Sequence, residues 1–191
     1  MEVKPGSCVY VLDDVISDEF CDTLKIIIDN TEGTGKNDYS EKNNVKCKSV
    51  SLNHFENKEF AYIIDNKVKN VIGDIIRQLY ILNTNLNPIN GDSGYDYRKI
   101  HGATRIHTDS IFAGILTEKI VHVSQLRKVS LIIALNGDYE GGEFYFPDQD
   151  IKIKLKKGQA IAFPPYWTHK HETGELLNDT FRYTINTWLL E

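Results

Sequence analysis

Two successive rhythms along the 191 residues predict an α+β fold. Before Pro88 apolar residues recur at helical spacing in two stretches; after it, short runs rich in Val, Ile, Tyr and Phe alternate with Gly, Asn and Asp turn signals. Helices first and strands afterwards, with no Ser- or Pro-rich linker between them, predict a closed or sandwiched antiparallel sheet supported by helices. A single domain over residues 1–191 is expected.

In chain order, Val9, Tyr10, Val11 and Leu12 read as a short strand. Ser17 followed by Asp18 and Glu19 supplies an N-cap and an acidic first turn, and Phe20, Leu24, Ile27 and Ile28 keep helical spacing to about residue 30. Residues 31–51 turn polar, with Gly33, Gly35, Asn37, Asn43 and Asn44, and read as a mobile loop and a candidate lid. The stripe Phe60, Ile63, Ile64, Val68, Val71, Ile72, Ile75, Ile76 and Leu79 predicts a long amphipathic helix over 56–82, with Gly73 a candidate interruption. Strands are expected at 95–100, 105–109, 129–135, 143–146, 151–155, 160–163, 169–173 and 181–189.

Composition narrows the function classes. A net charge of −5 disfavours a broad grip on nucleic-acid phosphates. Lys152, Lys154 and Lys156 alternate with Ile151, Ile153 and Leu155, which is the pattern of an outer strand with solvated lysines. Cys8, Cys21 and Cys47 are odd in number and lack CxxC spacing, arguing against a disulfide framework or a structural zinc knot. The longest aliphatic run, residues 131–135, is far short of the ~20 residues that span a bilayer. A soluble, cytoplasmic protein is expected.

Three places carry chemistry. His107-Thr108-Asp109 closes a strand-like run, where residues two apart share a face with Cα atoms about 6.5 Å apart, so an imidazole and a carboxylate can reach one metal. Trp167-Thr168-His169-Lys170-His171-Glu172 offers a further imidazole; His169 and His171 share a face by the same rule, and spacing does not choose between them. Arg182, with Thr184 at the next same-face position, brings a planar fork suited to a carboxylate. A second imidazole beside His107 and Asp109 would complete the two-His, one-carboxylate set that holds non-haem Fe(II) with positions open.

The order of these segments resembles the Fe(II)- and 2-oxoglutarate-dependent oxygenases, in their prolyl-hydroxylase-like branch, over roughly residues 95 to 191. Alongside His107-x-Asp109 stand Leu135-Asn136-Gly137-Asp138-Tyr139-Glu140-Gly141-Gly142-Glu143-Phe144, then Lys157-Gly158-Gln159-Ala160-Ile161-Ala162-Phe163-Pro164, the histidine pair, and Arg182-Tyr183 leading to Trp188-Leu189. The resemblance implies a double-stranded β-helix, or jelly roll, over about 89–191 with helical support over about 1–88. It makes His107 and Asp109 the first two iron ligands. It favours His171, eleven residues before Arg182, as the third, while the interval from Pro164 favours His169 and Thr173 stands where the family usually has Val.

The same resemblance assigns Arg182 to the distal carboxylate of 2-oxoglutarate, with Thr184 assisting and Tyr97 or His101 as candidates for a further contact. The implied activity is hydroxylation of a C–H bond with O2, releasing succinate and CO2, with ascorbate as an accessory reductant. A prolyl residue in a peptide or protein is the first substrate class, a small molecule the second and a nucleobase the third. Residues 110–128, with Phe112, Ile115, Leu116, Val121, His122 and Arg127, are expected to wall the substrate pocket. The alternatives from other classes are a non-catalytic, cupin-like binding module and a zinc hydrolase built on His169 and His171.

Overall fold

The computed structural model describes residues 1–35, 46–86, 88–109, 112–116 and 121–191. Its two long helices begin at side-chain caps. Ser17 is extended and its Oγ accepts from the Phe20 amide at 3.2 Å, opening α1 (Asp18–Asn30); the Asn57 side chain accepts from Phe60 at 3.0 Å, opening α2 (Lys58–Leu82). Gly73 does not interrupt α2. A mid-helix glycine costs about 1 kcal/mol relative to alanine, and the buried stripe Ile64, Val68, Ile72, Ile75 and Leu79 outweighs that.

The strands, in chain order, are β1 (Tyr10–Leu12), β2 (Thr34–Gly35), β3 (Lys46–Val50), β4 (Gly91–Asp92), β5 (Asp96–His101), β6 (Thr104–His107), β7 (Phe112–Leu116), β8 (Val121–Ala134), β9 (Glu140–Gly141), β10 (Phe144–Phe146), β11 (Ile151–Ile153), β12 (Ala160–Phe163), β13 (His171–Thr173), β14 (Leu176–Leu177) and β15 (Arg182–Leu190). A major antiparallel sheet runs β1-β12-β8-β15-β5-β3-β2, with β4 added to β15 and β7 to β8. A minor sheet runs β11-β10-β13-β6, and β9 pairs β14.

The polar stretch read as a loop contains a strand. β3 pairs β5 from Lys46 opposite His101 to Val50 opposite Tyr97, while residues 36–45 lie outside the described residues. Backbone pairing supplies the stability, so the strand needs few apolar side chains; over residues 47–50, Ser49 and Val50 are buried.

The centre of the major sheet is buried on both faces, which is why residues 129–135 read as a nearly continuous apolar run. On β8, Leu131 and Ile133 join the core formed with α1 and α2, where Leu24, Ile28, Ile72, Ile75 and Leu79 meet Ile185 and Leu189. Ile132 and Ala134 point the other way, between the sheets, with Phe144, Phe146, Ile151, Ile161 and Phe163.

The glycine-rich segment after β8 shapes the inner end of this space. Buried Asn136 donates through Nδ2 to Asp138 Oδ1 (2.7 Å) and Phe181 O (2.9 Å), and its Oδ1 accepts from the Tyr183 amide (2.8 Å). Gly141 and Gly142 both have φ +68°, and a Cβ on Gly141 would lie 2.0 Å from the Glu175 carbonyl oxygen. Only glycine fits that approach. Lys152 on β11 and Lys154 just past its end are exposed, as expected of an outer strand, and Lys154 also donates to the Tyr139 carbonyl.

Candidate metal centre

β6 and β13 pair antiparallel with His107 directly opposite His171. Asp109 lies two residues past the end of β6. The three side chains each present a ligand atom within 4.8 Å of the others. Nε2 of His107 is 3.6 Å from Asp109 Oδ1, Nε2 of His171 is 3.9 Å from the same oxygen, and the imidazole centroids are 4.4 Å apart.

The residues around them fix their orientation. His107 Nδ1 lies 2.9 Å from the Arg105 carbonyl and His171 Nδ1 lies 3.1 Å from the His169 carbonyl, so each Nδ1–H donates and each Nε2 is turned toward the cluster. Ser130 Oγ on β8 donates to Asp109 Oδ2 at 2.6 Å, leaving Oδ1 to face the imidazoles. Phe163 meets the His171 ring edge-on at 4.7 Å and Phe146 stacks on it at 5.6 Å, closing the apolar side.

The electrostatics follow. Burial raises the Asp109 pKa, but the His107 hydrogen bond, the His171 field and the Ser130 hydrogen bond override it and hold it at about 2. Burial dominates at His171 and lowers its pKa, keeping the imidazole neutral. At His107 burial also opposes charge, yet the hydrogen bonds to Asp109 and the Arg105 carbonyl prevail and raise its pKa. A neutral imidazole, a second one paired with an ionised carboxylate, and oriented Nε2 atoms fit a divalent transition metal.

His169 has a different fate from the one its spacing predicts. Residues Trp167–His169 form a 3-10 turn, and the strand starts only at His171, so the two histidines do not share a strand face. His169 is buried against the N-terminal segment, with Nε2 2.8 Å from the Ser7 carbonyl and Nδ1 2.9 Å from Thr168 Oγ1. It lies outside the cluster.

Arg182 opens β15 and is 2% exposed. Its Nη1 donates to the Gly142 carbonyl at 2.8 Å and its Nη2 reaches Thr173 Oγ1 at 3.5 Å, with the guanidinium 4.9 Å from the Phe144 ring centroid. Its Nε has no partner, and among the described residues no carboxylate pairs with it. A buried, unpaired guanidinium is costly, and a carboxylate from outside the chain would satisfy it. Arg182 lines the same open cavity as His107, Asp109 and His171.

Residues 95–190 match the family model of the 2OG-Fe(II) oxygenase superfamily. The chain belongs to that superfamily. This 2OG-Fe(II) oxygenase superfamily member is similar in fold to the viral collagen prolyl hydroxylase vCPH from Paramecium Bursaria Chlorella virus-1 solved with 2OG, at TM-score 0.62 and 19% identity, covering 98% of each chain. It is also similar to a prolyl hydroxylase from Trichoplax adhaerens in complex with a hypoxia inducible factor oxygen degradation domain peptide fragment, at TM-score 0.67 and 15% identity, covering 97% of this chain and 84% of that one. No match is found among curated proteins. The jelly-roll core expected for the family is present as the two facing sheets.

Several pocket assignments change on the oxygenase fold. Tyr97 faces the helices, where its hydroxyl lies 3.4 Å from Asp65 on α2. His101 turns to the Thr180 carbonyl at 3.0 Å and the Phe181 ring, outside the cavity lining. The cavity is lined from β5 by Arg98 and Ile100 instead. Thr184 does line it, with its hydroxyl donating to Asn186 Oδ1 at 2.6 Å. Of the expected substrate wall, residues 110–111 and 117–120 lie outside the described residues, as do the side chains of Phe112, Ile115, Leu116, Val121 and His122. Sequence reading missed Ser130 and Arg98. Both stand at even positions of strands whose inward members are also even, so counting from Ile132 and Ile100 finds them. Among the described residues no helix is long and apolar enough to cross a membrane.

Proposed function

We propose that this chain is an active oxygenase in which His107, Asp109 and His171 hold Fe(II) and Arg182 anchors 2-oxoglutarate, hydroxylating a C–H bond with a prolyl residue of a peptide or protein as its first substrate class. One observation carries the reading: the unpaired Arg182 guanidinium opens onto the same cavity as the three converging donor atoms. When bound, iron and 2-oxoglutarate supply the oxidative decarboxylation that yields succinate and CO2 and the oxidation of the substrate C–H bond. The chain does the remaining work. Asp109, held ionised, contributes the negative charge, and Ser130 keeps one of its oxygens turned away from the imidazoles. Arg182 offers a rigid fork already stripped of water, so a carboxylate meets a fixed partner. Phe146 and Phe163 keep water from the apolar side of His171.

The peptide reading is supported by the likeness to two prolyl hydroxylases, one of them solved with a peptide fragment. The test is succinate formation and mass analysis of proline-containing peptides, with purified protein, Fe(II), ascorbate, O2 and 2-oxoglutarate. The expected result is peptide heavier by one oxygen atom and an equal yield of succinate, both lost in His107→Ala. Binding of 2-oxoglutarate without any succinate above the Asp109→Ala control points to a binding module, and zinc-supported hydrolysis without O2 points to a hydrolase. Either outcome overturns the proposal.

A further inference from the structure

We infer that Arg127 is a positioning residue that holds the carboxylate ligand in place through its main chain, an inference that rests on reading Asp109 as a metal ligand. β6 ends at His107, so no strand ladder fixes Asp109. β8 does so instead. Ser130 Oγ donates to Asp109 Oδ2, and Arg127 Nη1 donates to the Asp109 carbonyl oxygen, both at 2.6 Å.

Two contacts of this kind are not what a regular strand provides, because residues three apart point to opposite faces. The ladder between β8 and β15 slips at this point: Leu189 faces Val129 whereas Leu190 faces Arg127, leaving Lys128 as the extra residue of a bulge. Lys128 accordingly leaves the site, with Nζ 3.1 Å from the Pro88 carbonyl and 3.2 Å from the Glu191 carboxylate. The bulge re-aims Arg127 toward the side where Ser130 points.

Trp188 completes the arrangement. It sits opposite Ser130 in the β15 register, and the Arg127 guanidinium lies 3.8 Å from its ring centroid. Among the described residues no carboxylate pairs with Arg127, and its buried Nε has no hydrogen bond. Burial lowers its pKa. Half-buried Arg127 is stacked on an indole and directed at the Asp109 main-chain carbonyl, with the Asp109 carboxylate acting on it through space. Holding that carbonyl limits rotation of the Asp109 main chain and so keeps Oδ1 turned toward the two imidazoles.

The test is calorimetric titration of the intact metal-free protein with Mn2+, together with the visible absorption of the Co2+ form. Arg127→Met is expected to weaken Mn2+ binding by about ten- to a hundredfold and to shift the Co2+ bands, with Arg127→Lys in between. In an Asp109→Ala background Arg127→Met is expected to have no further effect on residual affinity, because the two act as one unit. A space-filling role would lower the unfolding temperature and leave the Mn2+ affinity of the folded protein unchanged, and that result overturns the inference. If Arg127→Met does not fold, Arg127→Lys and Trp188→Phe decide, and wild-type Mn2+ affinity in both overturns it. Wild-type protein that binds no Mn2+, or that binds it as well after His107→Ala, removes the metal-centre reading itself instead.

Discussion

The two faces of the major sheet are built to opposite specifications from the same strands. On β15 the outward residues Ile185 and Leu189 join a dry core with α1 and α2, while the inward residues Arg182, Thr184, Asn186 and Trp188 line the cavity. β8 divides likewise, with Leu131 and Ile133 in the helix-side core and Ser130 inward beside Asp109. One face is core throughout, and the other combines the apolar cluster of Ile132 and Ala134 with polarity that a stable core would exclude. Function is thereby placed on a scaffold whose rigidity comes from the far side of the same backbone.

The largest effect should come from the inner face. Removing a ligand with His107→Ala or Asp109→Ala is expected to weaken Mn2+ binding beyond the ten- to hundredfold typical of residues that only support a ligand, with unfolding curves close to wild type. Next is the outer face: Ile75→Ala in α2 should cost about 2–5 kcal/mol of stability in denaturant titration while the folded fraction keeps its metal affinity. Loss of metal affinity there would show that the faces are not separable.

Arg182→Met sharpens the contrast further. It should leave Mn2+ binding intact and weaken 2-oxoglutarate binding by about 1.5–3 kcal/mol per charge-assisted hydrogen bond lost. Thermal stability of the ligand-free protein should hold or rise, since a buried charge without a counter-ion is removed. His169→Ala should behave as an outer-type change despite its sequence position, costing about 1–3 kcal/mol through the unsatisfied Ser7 carbonyl with Mn2+ affinity retained. The smallest effect concerns Asp29. Burial raises its pKa, but the Lys99 and Tyr183 hydrogen bonds override this and lower it. Its contribution is therefore present above the unfolded carboxylate value and is lost as pH falls through the folded one. Asp29→Asn should flatten that acid limb of the stability–pH profile slightly.

What the sequence shows and what it hides divide along these lines. Side chains on regular elements were legible: the Ser17 cap, the α2 stripe, the apolar strand at 129–135 and the inward parity of Arg182 and Thr184 follow from helix capping and from periods of 3.6 and 2, whereas Asp109 joins His107 from beyond the end of its strand. Departures from regularity were not. The 3-10 turn at Trp167–His169 breaks the two-residue rule that put both histidines on one face, and the Lys128 bulge reverses the parity of Arg127. β3 was hidden because lysine-rich residues can form a strand when the neighbouring strand supplies the hydrogen bonds. Tyr97 failed for the opposite reason: the strand is regular, but its parity sends odd positions toward the helices.

On the proposed role of Arg182, the lone guanidinium at the start of β15 also sets how the molecule meets its diacid. Much of the dehydration of that cation is borne when the chain folds, so association begins from a preformed, buried guanidinium. It follows that the vacant protein is its less durable form, and that heat resistance should climb with the logarithm of free 2-oxoglutarate once the dissociation constant is passed.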